Sequence, residues 1–333
     1  MNIIVPMAGR GSRLRPHTLT IPKPLLPVGG KPIVERLVED IVAMSAEPVE
    51  EIAFVIGDFG AETEAQLLAM AERLGAKGHI CHQEEPLGTA HAILCGKACL
   101  KGPVVVAFAD TLFRADFTIN PDADGVLFVK QVDDPSAFGV VVTDAQGAIE
   151  DYVEKPSEFV SDLAMIGIYA FKDGERLQTE LQKLIDHNII KGGEYQLPDA
   201  LRNMTQSGLK FEPGRVTEWM DCGNKVATVE TNQRILTLTA DQVSIPASAN
   251  ISESVILPPC FIGEHVRIER SVIGPHVSIG EGTTIADSRI QNTLIQNEST
   301  VENKVLSGSM VGNHVKLLGR SQDISVGDYN VID

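Results

Sequence analysis

The chain has 333 residues, of which 43% are hydrophobic, and it can bury a large core, with its length suggesting two domains. A formal net charge of −17 argues against nucleic acid or an anionic membrane as the main partner, and no apolar stretch approaches the roughly 18 residues that span a bilayer. The five cysteines show no paired spacing, which indicates reduced cysteines in a cytoplasmic protein rather than a disulfide framework or a zinc site.

Apolar strands and amphipathic helices alternate along the first 235 or so residues. Strands are predicted at 2–6, 52–56, 79–82 and 104–108, and helices at 33–44, 61–74 and 89–98. This alternation predicts an α/β domain with a Rossmann-like, mostly parallel sheet that is covered on both faces. In such sheets ligands bind beyond the carboxyl ends of the strands. From 125 to 171 the pattern becomes strand-rich, and helices are predicted at 173–187, 195–206 and 224–239.

The pattern changes near Ala240, where aliphatic residues begin to recur every five or six positions. The recurring residues are Ile245, Ile251, Ile256, Ile262, Ile268, Ile273, Ile279, Ile285, Ile290, Ile295, Val301, Leu306 and Val311. This period is typical of the hexapeptide repeat of a left-handed parallel β-helix, with three short strands in each coil. Three steps give a coil of 15–18 residues, so we expect four to five coils. We therefore predict an α/β domain at 1–238 and a β-helix domain at 242–333.

A glycine-rich loop that carries several cations follows the first predicted strand. Residues 8–18 read A-G-R-G-S-R-L-R-P-H-T, and residues 22–24 read P-K-P. Glycine has no side chain, so the backbone N–H groups of such a loop can approach an anion closely, and phosphate is the usual anion. The spacing is neither that of a Walker loop nor G-x-G-x-x-G. It resembles the signature of the sugar-1-phosphate nucleotidyltransferases, roughly A-G-x-G-[TS]-R-[LM]-x-P-x-T followed by P-K-P.

The resemblance implies that this loop holds a nucleoside triphosphate. Arg13 would stabilise the departing pyrophosphate, and Lys23 would reach phosphate oxygens as a point charge. Segment 83–92 resembles the part of the family that reads the base, where the Gln83 amide offers a donor and an acceptor. The expected nucleotide-binding residues are Ala8, Gly9, Gly11, Ser12, Gln83, Pro86, Gly88 and Thr89.

Two aspartates are candidates for a metal site. Asp110 ends an apolar strand, where a carboxylate is costly unless it binds something, and a hard cation such as Mg²⁺ is its natural partner. Asp221 lies in W-M-D-C-G, which resembles the family's W-x-D-x-G, where the aspartate is the second Mg²⁺ ligand. The two residues are far apart in the chain, so the fold must bring them together.

The sugar phosphate is expected at a second set of motifs. Glu154 and Lys155 begin E-K-P, in which the resemblance implies that the lysine binds the phosphate and the glutamate accepts hydrogen bonds from sugar hydroxyls. Gly139 resembles a glycine whose backbone contacts the sugar, and Glu194 resembles a sugar contact.

Together these residues predict a Mg²⁺-dependent enzyme that transfers a nucleotidyl group from a nucleoside triphosphate to a sugar 1-phosphate by a single in-line displacement. Gln83 favours UTP or dTTP, and glucose 1-phosphate is the favoured acceptor. Glu84 and Glu85 leave mannose-1-phosphate guanylyltransferase activity as an alternative. Two further alternatives remain. One is a bifunctional enzyme whose β-helix is an acyltransferase, and the other is a non-catalytic regulator that binds nucleotide-sugars. The β-helix otherwise suggests a homo-oligomer or an allosteric module.

Overall fold

The structure is a computed structural model that describes residues 1–9, 11–45, 47–117, 120, 123–242, 245–321, 323 and 325–326. The chain divides into two compact units, the first made of Met1–Leu26 and Lys31–Gly223, the second of Pro27–Gly30 and Asn224–Asp333. The division precedes the helix Lys225–Leu238, whereas the sequence analysis places a domain boundary after it, at 238–242. That predicted boundary stays a prediction.

The first 223 residues contain five α-helices among the described positions. They are α1 Ile33–Met44, α2 Ala61–Arg73, α3 Thr89–Cys95, α4 Gly174–Asp186 and α5 Leu197–Gln206. The same part of the chain contains β1 Asn2–Pro6, β2 Pro27–Val28, β3 Lys31–Pro32, β4 Glu51–Ile56, β5 Lys77–His82, β6 Val104–Ala107, β7 Thr111–Arg114, β8 Gly125–Gln131, β9 Gly139–Thr143, β10 Ile149–Glu154, β11 Leu163–Phe171, β12 Phe211–Arg215 and β13 Glu218–Asp221. Helix α1 has the predicted bounds, and the other predicted helices agree to within a few residues.

A nine-stranded sheet forms the centre of the first unit, in the order β5-β4-β1-β6-β11-β8-β12-β10-β9. The four strands β5, β4, β1 and β6 are parallel to one another, whereas β11 runs antiparallel to both β6 and β8. The predicted parallel sheet is therefore one half of a mixed sheet. The strand-rich sequence after 125 supplies most of the other, mainly antiparallel half, in which β12 pairs parallel with β8.

Both faces of the parallel half are buried. Ile4 belongs to a core that includes Ile93 of α3, Leu181 of α4 and Leu201 of α5. Its neighbours Ile3 and Val5 are also fully buried, and they point to the opposite face because side chains alternate along a strand. The chain leaves β1, β5 and β6 at the same edge of the sheet, since parallel strands end together.

The second unit contains helix α6, Lys225–Leu238, followed by short strands. These are β14 Asn250–Ser252, β15 Val255–Ile256, β16 Cys260–Ile262, β17 Arg267–Glu269, β18 Val272–Ile273, β19 Val277–Ile279, β20 Thr284–Ala286, β21 Arg289–Gln291, β22 Thr293–Ile295, β23 Thr300–Glu302, β24 Val305–Ser307, β25 Met310–Val311 and β26 Lys316–Leu318. They form three parallel ladders, of which the longest is β14-β17-β20-β23-β26.

The ladders confirm the predicted hexapeptide-repeat β-helix. Along the longest ladder Ile251, Ile268, Ile285, Val301 and Leu317 are stacked in register. The recurring aliphatic side chains form the core of the unit, as the pattern requires. Ile245, the first residue of the predicted repeat, is 51% exposed and precedes the first strand.

Two properties of the chain as a whole bear on its chemistry. All five cysteines are free, as expected from their spacing. Among the described residues, none of the helices is both long enough and apolar enough to cross a bilayer.

Candidate active site

The glycine-rich loop after β1 is folded back on itself. Gly11 has a φ of 58°, and its carbonyl oxygen accepts a hydrogen bond of 2.8 Å from the hydroxyl of Thr18. A side chain at Gly11 would come within 2.8 Å of Lys23 Cβ, so the glycine is required both for the turn and for the close approach of the P-K-P segment. Leu14 is buried and anchors the loop. Arg10, which belongs to the same motif, lies outside the described residues.

Lys23 forms an ion pair at the centre of the site. Its Nζ lies 3.2 Å from Oδ2 of Asp110, and the lysine is buried whereas the aspartate is half exposed. A buried ammonium group is costly unless an opposite charge compensates it. The pair therefore holds the predicted phosphate-binding cation beside the predicted metal ligand.

The predicted base-reading segment is fixed by a second part of the chain. Tyr195 donates its backbone N–H to Leu87 O at 2.8 Å and accepts from Ala90 N at 3.0 Å. The hydroxyl of Thr89 accepts a hydrogen bond of 3.0 Å from Leu197 N. A Cβ on Gly88, which has a φ of 108°, would lie 2.5 Å from Tyr195 O. These contacts bring Glu194 to the same site.

The Gln83 amide is already partly engaged within the segment. Its Nε2 donates to Gly88 O at 3.2 Å and lies 3.1 Å from Nδ1 of His91. Both amide hydrogens therefore have partners inside the protein, which leaves the Gln83 carbonyl oxygen as the acceptor for a ligand. His91 is therefore placed to orient this amide.

A small two-stranded sheet brings the two predicted metal ligands together. Strand β13 pairs antiparallel with β7, so that Asp221 stands opposite Thr111, the residue after Asp110. Cys222 N donates to Asp110 O at 3.1 Å. One Asp221 carboxylate oxygen accepts a hydrogen bond of 2.8 Å from Gly223 N, which orients the side chain.

Three of the predicted sugar-phosphate residues, Gly139, Glu154 and Lys155, lie on the β9–β10 hairpin or directly after it. Glu154 pairs with Gly139 across the two strands, and a Cβ on Gly139 would lie 2.7 Å from Glu154 Oε2. Lys155 has a φ of 45° and donates its backbone N–H to Phe138 O at 3.0 Å. Left-handed backbone at a residue other than glycine is uncommon and often marks a functional position. Its side chain is 66% exposed.

The predicted site residues line two adjoining cavities in the first unit, of about 380 and 480 Å³. The first is lined by the phosphate-loop and base-reading residues, which are Ala8, Gly9, Gly11, Ser12, Lys23, Gln83, Pro86 and Gly88. The second is lined by the predicted sugar-phosphate and metal residues, which are Gly139, Glu154, Lys155 and Asp221. The residues common to both are Arg13, Thr89, Phe108, Asp110 and Glu194.

The aromatic side chains of the second cavity were not among the predicted site residues. Trp219 packs edge-on against Phe138, with ring centroids 4.9 Å apart, and donates its indole N–H to Thr111 Oγ1 at 3.3 Å. Tyr169 also lines this cavity. The signal for Trp219 was present, because it is the single tryptophan of the chain and stands two residues before Asp221.

Burial raises the pKa of the Tyr169 phenol above its usual range, and the nearby carboxylates of Glu154 and Asp110 add to the effect. The phenol therefore keeps its proton near neutral pH and can donate a hydrogen bond to a ligand in the cavity.

Comparison with known proteins is consistent with this geometry. A sequence model of the nucleotidyl transferase family matches residues 2–237, and one described as GlmU-like, C-terminal hexapeptide matches residues 223–293. A glucose-1-phosphate thymidylyltransferase of Streptomyces griseus is 26% identical, over 95% of this chain and 93% of that protein. A bifunctional protein GlmU of Methanococcus aeolicus is 31% identical, over 86% of this chain and 62% of that protein.

A solved structure of a UDP-glucose pyrophosphorylase complexed with UDP-glucose shares the fold, with a TM-score of 0.58 and 24% identity, over 71% of this chain and 98% of that one. The chain belongs to the nucleotidyl transferase family, whose model covers more than half of it. The predicted resemblance to sugar-1-phosphate nucleotidyltransferases and the predicted enzyme class are thereby confirmed.

Proposed function

We propose that the protein transfers a nucleotidyl group from UTP or dTTP to a sugar 1-phosphate, with glucose 1-phosphate as the favoured acceptor, and releases pyrophosphate. The observation that carries this proposal is the pair of adjoining cavities that share Arg13 and Asp110 at their border. Two substrates that react with each other need two compartments with a common boundary, because the reacting atoms must meet there.

The first cavity suits the nucleotide. The backbone of residues 8, 9, 11 and 12 and the side chains of Arg13 and Lys23 supply donors and positive charge for a triphosphate. The Gln83 carbonyl oxygen can accept a hydrogen bond from the imide N–H of uracil or thymine. The relative from Streptomyces griseus is named as a thymidylyltransferase, which supports the same choice of base.

The second cavity suits the sugar phosphate. Lys155 presents its ammonium group from a hairpin end, and Glu154 lies beside it, with Lys155 Nζ 4.0 Å from Glu154 Oε1. The aromatic pair of Trp219 and Phe138 gives the cavity an apolar wall, a surface on which the carbon face of a sugar ring can rest. The cation then holds the phosphate while the carboxylate accepts hydrogen bonds from sugar hydroxyls.

Asp110 at the border and Asp221 in the second cavity fit a divalent metal ion. Asp110 and Asp221 line the second cavity, and their carboxylate oxygens are the hard donors that Mg²⁺ prefers. We propose that these two side chains hold Mg²⁺. The bound ion would neutralise negative charge on the phosphate oxygens of the nucleotide.

The proposed reaction is a single displacement. A phosphate oxygen of the sugar 1-phosphate attacks the α-phosphorus, a new P–O bond forms, and the bond between the α-phosphorus and the bridging oxygen breaks as pyrophosphate leaves. Arg13 stabilises the leaving group, Lys155 orients the attacking phosphate, and Lys23 compensates charge beside Asp110. The nucleophile is already an anion, so the chain needs no serine or cysteine nucleophile.

Two competing functions have specific support. A mannose-1-phosphate guanylyltransferase catalytic subunit of Drosophila melanogaster is 30% identical over 66% of this chain and 58% of that protein. GTP is therefore a second candidate nucleotide. The hexapeptide match and the bifunctional relative support acyl transfer by the β-helix as a second candidate activity. His265, His276 and His314 stand at coil corners with φ of 57°, 61° and 55°, and they are the candidates for acyl transfer.

The remaining expectations extend the same proposal. We propose a protein that acts in the cytoplasm and forms homo-oligomers, in which the β-helix supplies the contact between subunits.

The test is pyrophosphate release in the presence of Mg²⁺. A grid of UTP, dTTP, GTP, CTP and ATP would be assayed against glucose, mannose and N-acetylglucosamine 1-phosphates. We expect the strongest rate with UTP or dTTP and glucose 1-phosphate, and loss of that rate in Asp110→Asn and Asp221→Asn. Asp186→Asn, on α4 and outside both cavities, is the matched control. A folded protein that is inactive throughout the grid would contradict the proposal.

A further inference from the structure

Three potential metal ligands converge in the first unit at the sheet edge opposite the candidate active site. Glu51 begins β4, His79 lies in β5, and Cys99 precedes β6. The carboxylate, imidazole and thiol ligand atoms all lie within 4.8 Å of one another. The three residues come from separate parts of the sequence, so the spacing of the cysteines gave no sign of this cluster.

Two of the distances match a tetrahedral metal site. Glu51 Oε2 lies 3.5 Å from Cys99 Sγ and 3.4 Å from His79 Nε2. Metal–ligand bonds of about 2.0–2.3 Å place the ligand atoms of a tetrahedral zinc site roughly 3.3–3.7 Å apart. The Glu51 carboxylate thus already stands at the separation that a shared ion would impose.

The missing hydrogen bond of His79 among the described residues is a second observation that points to a bound metal ion. His79 Nε2 is buried, and within the described part of the chain it makes no hydrogen bond of acceptable geometry. Its 3.4 Å approach to Glu51 is not aligned as a hydrogen bond. A buried ring nitrogen without a hydrogen-bond partner is unusual in a folded protein, and metal coordination would satisfy it.

The cluster is also reachable from solvent. The side chains of His79 and Glu51 are 25% and 31% exposed, whereas Cys99 is fully buried behind them. An ion can therefore enter from the sheet edge and keep a water molecule as its fourth ligand.

We propose that Glu51, His79 and Cys99 bind a divalent transition-metal ion of the zinc class. One sulfur, one nitrogen and one oxygen ligand favour such an ion over Mg²⁺, which prefers oxygen alone. The Cys99 thiol gives its proton to solvent when the metal binds. The ion ties together β4, β5 and the segment before β6, so its effect is on stability rather than on the reaction.

The test uses the full chain, freed of metal and titrated with Co²⁺ in excess Mg²⁺. Excess Mg²⁺ occupies oxygen-donor sites, and only a cysteine ligand gives a thiolate-to-cobalt absorption band. We expect one equivalent of Co²⁺ to produce this band and to raise the thermal unfolding midpoint. Cys99→Ser should abolish the band, and His79→Gln, at a partly exposed position, should weaken binding at least about tenfold.

Two matched variants serve as controls. His82→Gln removes a histidine of the same strand that lies 3.5 Å from Glu64 but belongs to no such three-ligand cluster of described residues. Cys260→Ser removes a buried cysteine of the β-helix. Both should keep the band. No band in the unaltered protein, or an equal band in Cys99→Ser, would overturn the proposal.

Discussion

Lys23 Nζ and Asp110 Oδ2 lie 3.2 Å apart across 87 residues of sequence. The lysine is 8% exposed, and the aspartate side chain is 48% exposed. The pair connects the segment that carries the proposed phosphate-binding cation to the strand that carries a proposed metal ligand. It therefore fixes the relative positions of two groups that the proposed reaction needs together.

Replacing Lys23 by methionine should abolish most of the activity while the fold survives. We expect the turnover number to fall by about 10²–10³, the usual cost of losing a charge-stabilising donor. The half-exposed Asp110 remains hydrated, so the fold tolerates the loss of its partner. Steady-state kinetics and circular dichroism would measure the two effects.

The matched control for that variant is Lys31→Met. Lys31 also pairs with a carboxylate, 2.7 Å from Glu39 Oε1, but it lines neither cavity. Its replacement should leave the turnover number unchanged. Equal rates for the two variants would show that Lys23 is not part of the catalytic machinery.

Replacing Gly88 by alanine should weaken nucleotide binding and destabilise the fold. Gly88 has φ 108° and ψ 179°, a region essentially restricted to glycine, and the new Cβ would lie 2.5 Å from Tyr195 O. We expect the KM for the nucleotide to rise, because the loop must move away from the 194–197 segment. Chemical denaturation should show a loss of at least about 3 kcal/mol, which combines backbone strain with a steric clash.

Gly147→Ala tests a positive φ at a position where the new side chain meets no steric clash with the described residues. Gly147 has φ 89°, but no described atom lies within 4 Å of a Cβ placed there. We expect a loss of about 1–2 kcal/mol and no change in KM. If the two alanine variants behaved alike, the contact with Tyr195 would have no role in holding the loop.

Trp219 should report binding at the second cavity. It is the single tryptophan of the chain and lines the cavity beside Asp221. We expect its fluorescence to change when a sugar 1-phosphate is added in the presence of nucleotide and Mg²⁺, because the polarity around the indole changes. Trp219→Phe should remove the signal. A signal that responds to nucleotide but never to sugar phosphate would place the sugar elsewhere.

Tyr152 should make stability fall in alkaline solution. It is buried, its hydroxyl lies 2.9 Å from Thr205 Oγ1, and burial raises the pKa of its phenol to about 12. In the unfolded chain the pKa is about 10. The folded state therefore holds the proton more tightly than the unfolded state does. The contribution of Tyr152 to the free energy of unfolding is complete below about pH 10 and is lost as the pH rises toward about 12.

The measurement for Tyr152 is the free energy of unfolding against pH for the unaltered protein and for Tyr152→Phe. At pH 11 the unfolded tyrosine is largely ionised, which favours unfolding by about 1.4 kcal/mol relative to pH 8. The phenylalanine variant lacks this contribution. The stability difference between the two proteins should shrink by that amount, and an unchanged difference would contradict the assigned pKa.

Local elements were predictable from the sequence because their signals are local. Helix α1 follows from apolar residues at helical spacing, and the β-helix follows from a repeat that continues through a dozen steps. The positions of the loop 8–18 and of Asp110 at one sheet edge also follow, since both come after parallel strands. These predictions needed no knowledge of which distant segments meet.

The parts that the sequence did not reveal are contacts between distant segments. The pairing of Lys23 with Asp110 and the attachment of Tyr195 to Leu87 depend on how the sheet closes. The antiparallel half of the sheet inserts β11 beside β6, an order that no pattern within either strand specifies. The approach of Trp219 to Phe138 has the same origin.

The assignment of Pro27–Gly30 to the second unit has a consequence for synthesis. Gly29 donates its N–H to Oδ1 of Asn232 at 2.8 Å, and the same oxygen accepts from Ser278 at 2.7 Å. Residues 27–30 leave the ribosome well before Asn232 and Ser278 are made. The second unit is thus completed by a segment that is synthesised much earlier than the rest of that unit. Its assembly must therefore wait until the chain has been made at least as far as Ser278.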